Sequence, residues 1–144
     1  EHHAMTAMAL VTAYKNAGGE IDFPHTLREA YSRGKEVPGG ACGFWGACGA
    51  GVSSGIFVSV ILGADPLSGE AYGLANSMTA KSLAAIGKVG GPRCCKRNAY
   101  LAILSAVAFA REHFVVTMET NPPKCTRSAM NNQCIKGKCP FFAG

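Results

Sequence analysis

The chain is poor in charge: Asp, Glu, Lys and Arg make up only 16% of its 144 residues, while 48% are hydrophobic. That balance excludes intrinsic disorder, because such a chain buries enough apolar surface to offset its ordering entropy. Long apolar runs are missing too. The longest, Ile56 to Leu62 and Ala102 to Ala110, are broken by Ser59 and Ser105 and fall well short of the roughly 20 residues of a membrane-spanning helix. Aromatics are scarce at 8%, and a net charge of +5 is mild. The later basic residues (Lys88, Arg93, Lys96, Arg97, Lys124, Arg127, Lys136, Lys138) form no dense stripe with interleaved aromatics, so nucleic-acid binding is not expected. No strand-like alternation occurs, no Walker lysine follows a glycine loop, and no acidic pair stands out. Gly51, Ser53 and Gly55 echo a nucleophile elbow, but that motif requires a preceding strand. Glu1-His2-His3 does not open a basic, apolar, small-residue leader. A soluble, cytoplasmic protein is expected.

The length suits one domain. Apolar spacing and glycine stops predict an all-α fold, a compact bundle of about five helices. The first runs from Ala4 to Ala17 and stops at Gly18-Gly19, and the second spans Pro24 to Arg33. The third, Ala50 to Leu62, is apolar on nearly every side and is expected to be central and buried, with Gly51 and Gly55 admitting close neighbours. The fourth follows Ser68, a candidate N-cap, with Ala71, Leu74, Ala75, Met78, Ser82, Ala85, Ile86 and Val89 at helical spacing. The fifth is expected to begin near Pro92 and run to about His113. Residues 1–116 are thus assigned to a helical core. Residues 117–144, with Pro122, Pro123, Pro140 and little periodicity, form an extension that cannot build its own core and is expected to be disordered or held by what its cysteines bind.

Against these absences stand seven cysteines in three places. Cys42 and Cys48 lie in the glycine-rich GGACGFWGACGAG loop; Cys94 and Cys95 are adjacent; Cys125, Cys134 and Cys139 lie in the extension. The first two groups sit at the start of predicted helices, where free N–H groups and the positive dipole end stabilise an anion, helped by Arg93, Lys96 and Arg97. Four thiolates from Cys42, Cys48, Cys94 and Cys95 suffice for one metal or one cubane cluster, and the three in the extension for a second centre or a cap on the first. An odd count argues against a disulfide framework, and the lack of C-x2-C pairs against structural zinc. Free core cysteines explain any one of the seven, but clustering makes that a poor account of all of them. Among the histidines, His113 suits a helix C-terminus and His25 an exposed helix start. His2 and His3 are either a loose end or accessory groups able to reach a metal. Phe44 and Trp45 either anchor the glycine loop in the core or shield a cluster from solvent.

In the Gly39 to Gly49 loop, in Gly90-Gly91-Pro92-Arg93-Cys94-Cys95-Lys96-Arg97 and in Cys125, Cys134 and Cys139-Pro140, the chain resembles an uncharacterised cysteine-rich domain family. That family is associated with anaerobic bacteria and archaea, methanogens included, and occurs alone or joined to radical S-adenosylmethionine proteins. The resemblance covers nearly the whole chain, including His2-His3. It carries no biochemical role; it implies an anaerobic setting and a radical S-adenosylmethionine enzyme or redox protein as partner. The reading that follows is an iron–sulfur protein, with a 4Fe-4S cluster as cofactor, serving electron or sulfur transfer or chemistry at an open cluster iron. The alternatives are a zinc-stabilised interaction module and a thiol oxidoreductase using Cys94-Cys95. The residues separate neither enzyme from carrier nor one partition of the cysteines from another.

Overall fold

Glycine and proline punctuate the chain, and the helices form between them much where apolar spacing places them. The computed structural model describes residues 2–144. It contains α1 (His2–Asn16), α2 (Phe23–Gly34), α3 (Ala41–Phe44), α4 (Gly49–Leu62), α5 (Glu70–Val89) and α6 (Cys95–Phe114), then 3₁₀ turns at Ser128–Met130 and Lys136–Lys138. Among the described residues the only bridge pairing is an isolated parallel one between Cys125 and Phe142. The fold is all-α. No described helix is long and apolar enough to cross a membrane.

Helix α4 is the centre, as its unbroken apolarity predicts: it packs on α1, α2, α5 and α6. Its Phe57 and Val58 meet Leu10 and Val11 of α1, Ala30 of α2, Met78 of α5 and Phe109 of α6 in one core. Burying each large side chain of this set contributes about 1.5–3 kcal/mol. Two glycines bring α5 close. A Cβ at Gly51 would lie 2.6 Å from Leu83 Cδ2, and one at Gly55 would collide with the Thr79 hydroxyl. Serines tie the layers: Ser54 Oγ meets Ser82 Oγ of α5 at 2.7 Å, and Ser53 Oγ receives the Ala7 N–H of α1 at 2.8 Å and donates to the His3 carbonyl. Ser53 is therefore a buried tie between helices, and the echo of a nucleophile elbow has no chemistry here.

Three sequence expectations need correction. Helix α1 takes in His2 and His3, so neither histidine is a loose end. Ser68 does not cap α5; its hydroxyl accepts from Asp65 N–H and donates to the Asp65 carboxylate, closing the preceding turn, and Gly69 holds the cap position. Pro92 lies outside α6, which starts at Cys95 with Cys94 as its N-cap. The extension after α6 is ordered. Met118 is 2% exposed and joins the core, and Phe141 packs edge-on against Tyr100 of α6, ring centres 5.3 Å apart. The Cys125 N–H donates to Phe141 O at 2.7 Å, closing the extension on itself.

Candidate functional site

The start of α6 decides how the seven thiols are distributed. Cys94 is extended (φ −141°, ψ 102°) while Cys95 begins the helix, so the adjacent side chains diverge instead of sharing one centre. Cys94 lines a cavity of about 350 Å³ together with Cys125, Cys134 and Cys139. Cys95 lines a second cavity, of about 200 Å³, with Cys42 and Cys48. The vicinal pair is split between two sites, and the grouping of Cys42, Cys48, Cys94 and Cys95 around one centre is not what the fold produces. Among the described residues all seven thiols are free and half-buried.

The larger cavity is built by α6 and the extension. Its walls carry the rings and apolar groups of Tyr100, Met130, Ile135, Phe141 and Phe142, and among the described residues its charged lining is Lys96, Arg97 and Arg127, with no carboxylate. Two of its sulfurs already accept backbone hydrogen bonds from two residues on: Arg127 N–H to Cys125 Sγ at 3.4 Å and Lys136 N–H to Cys134 Sγ at 3.3 Å. Such bonds stabilise a thiolate and tune any metal it holds. Arg97 is 3% exposed. One of its nitrogens, Nη2, holds the Gly90 and Pro92 carbonyls at 2.8 and 2.9 Å, while Nε has no partner. A buried guanidinium without a carboxylate is costly unless an anion faces it.

The smaller cavity lies where α4 and α6 begin, beside His2 and His3 of α1. His2 and His3 of α1, Cys48, Gly49 and Ala50 at the start of α4, Cys95 and Asn98 of α6, and Arg93 line it with Cys42 of α3. The positive dipole ends of α4 and α6 face the same space. Asn98 donates through Nδ2 to Cys48 Sγ at 3.4 Å, and its Oδ1 is buried without a partner among the described residues. Sequence reading missed Asn98, although its place one turn after Cys95 puts it on the same face of α6. Phe44 and Trp45 do not anchor the loop in the core: they are 90% and 69% exposed. Gly40 and Gly46 both take positive φ, and with them the loop turns its two aromatic rings outward. His25 is exposed, as expected. His113 lies in the last turn of α6, stacked 4.1 Å from Phe109 and away from both cavities.

A donor set of thiols, N–H groups and cations, with no carboxylate among the described residues that line them, fits an anionic metal–thiolate group in either cavity. Among the described residues no three His, Cys, Asp or Glu side chains converge as ligands of a single ion; the thiols instead surround space.

Fold and site together define an all-α, cysteine-rich protein with two thiol-lined cavities that meet at one helix start. The chain belongs to DUF5714, a family of unknown function, whose model matches residues 1–142. No curated protein and no solved structure matches it.

Proposed function

We propose that the protein binds an iron–sulfur cluster, of the 4Fe-4S kind, in the cavity of Cys94, Cys125, Cys134 and Cys139. The observation that carries this reading is that four thiols from two distant segments line one space whose charged side chains, among the described residues, are all cations. Four thiolates supply one ligand to each iron of a cubane. Thiols set around a cavity suit such a group better than a lone zinc ion, whose four ligands must meet at one point. The cluster's net negative charge would answer the buried Arg97, and the N–H bonds to Cys125 and Cys134 would hold its thiolates.

With every iron ligated by protein this centre has no open position, so electron transfer is the role it suits. The resemblance to proteins joined to radical S-adenosylmethionine enzymes names the partner class: an enzyme of that kind, or another redox protein, in an anaerobic cell. The test is iron, zinc and acid-labile sulfide per chain, with an absorbance spectrum, on protein purified without oxygen. Iron and sulfide in equal amounts, in multiples of about four per chain, with a broad band near roughly 400 nm, are expected. Zinc alone would replace this reading with the structural module, and neither metal would remove both.

A further inference from the structure

The smaller cavity contains a histidine held as metal-bound histidines are held. His3 Nδ1 lies 2.9 Å from the Val37 carbonyl. A carbonyl only accepts, so the ring proton sits on Nδ1 and Nε2 carries the free lone pair. Donation of the other ring N–H to a carbonyl is the usual device that fixes a ligating imidazole. The backbone of His3 is fixed as well. Its carbonyl receives the Ser53 hydroxyl from α4, and Gly34 lets the end of α2 approach so closely that a Cβ there would lie 2.8 Å from that carbonyl and 2.5 Å from Ala4 Cα. The ring itself occupies the place where a Cβ of residue 49 would stand, so Gly49, next to Cys48, is what admits it.

We infer that Cys42, Cys48, Cys95 and His3 Nε2 form a second iron–sulfur centre, with imidazole as the fourth ligand. The inference rests on the proposed function in its chemistry but on a different cavity in its geometry. Three thiols and one imidazole around about 200 Å³ give a polynuclear group one ligand per iron, and such a group needs its ligands spread around a space. The starts of α4 and α6, with Arg93 beside them, supply the positive potential that an anionic cluster requires. Asn98, 5% exposed, is the independent sign of a missing group: its Nδ2 already bonds Cys48 Sγ, and its Oδ1 has no partner among the described residues. Cys42 lies in the short α3 and Cys48 caps α4, and the Ala47 N–H donates to Ala41 O at 3.2 Å, closing the loop that joins them.

The test uses the full chain reconstituted without oxygen from ferrous iron and sulfide, with isotope-labelled histidine. Pulsed electron paramagnetic resonance of the reduced protein is expected to show a directly coupled imidazole nitrogen, kept in His2→Ala and His113→Ala and lost in His3→Ala. Cys134→Ser with Cys139→Ser should retain about half of the iron and all of the nitrogen coupling. Cys42→Ser with Cys48→Ser should retain the other half and none of the coupling, so one pair decides if the other fails to fold. Wild-type protein without imidazole coupling overturns the inference. So does a tail double variant that folds but holds no iron, which would leave the first cluster standing. A wild type that takes up no iron overturns both.

Discussion

At the scale of single residues, the sharpest constraint is Gly49, because a methyl group there and the His3 ring cannot share the same space. Gly49→Ala is expected to destabilise the protein by about 1–3 kcal/mol, the usual cost of overpacking, and to displace His3 from the cavity. Gly43→Ala in the same loop, where a Cβ would meet nothing within 4 Å, should be nearly neutral. Chemical denaturation of the two variants gives the comparison. Tyr14 makes a second residue-scale case. Burial, and then the Glu20 carboxylate, push its hydroxyl above the ordinary value of 10.0. The folded state therefore holds that proton more tightly than the unfolded chain. The resulting stability is whole below about pH 10 and is lost as pH rises from there through the folded value. Tyr14→Phe should flatten that part of the alkaline stability profile, and equal slopes in variant and wild type would refute it. The exposed Trp45, the only tryptophan of the chain, lies midway between Cys42 and Cys48. Its fluorescence should fall when iron and sulfide load the smaller cavity. It should stay unchanged when Cys42→Ser with Cys48→Ser leaves only the larger one.

At the scale of elements, the beginning of α6 explains the most. One residue before the helix and one within it send neighbouring thiols into different cavities. Periodicity locates α6 correctly along its length but misplaces its first residue, because Pro92 satisfies the rule for a first helical position while the chain remains extended through Cys94. That three-residue shift is what separates one four-thiol centre from two sites. Caps fail in sequence reading for a similar reason. Ser68 has the right side chain, but Asp65 three residues earlier offers a local partner that competes for it. The extension is docked by Met118 and by Phe141 on Tyr100. Phe141→Ala should weaken that docking by about 3 kcal/mol while leaving the helical core cooperative. Limited trypsin digestion at the exposed Lys124, Arg127, Lys136 and Lys138 should accelerate in this variant, and also in wild type after iron is chelated. Equal digestion rates with and without chelator would show that no metal supports the extension.

At the scale of the whole molecule, the fold is a helical core that presents helix starts to one region and wraps a cysteine-bearing segment over part of it. The helical class, the central place of α4, the close approaches at Gly51 and Gly55 and the set of cysteines were all legible in the sequence. Each of these follows from local spacing: apolar residues at helical intervals, glycines within a helix, thiols in clusters. The partition of the thiols, the placing of His3 over Gly49, the recruitment of Asn98 and the outward turn of Phe44 and Trp45 were decided only by tertiary structure. His3 and Gly49 are 46 residues apart in sequence, and Cys94 and Cys139 nearly as far. No local pattern records that His2 and His3 of α1 meet the beginnings of α4 and α6. That meeting is fixed by which faces α4 buries against its neighbours, a property of packed helices and not of any one segment.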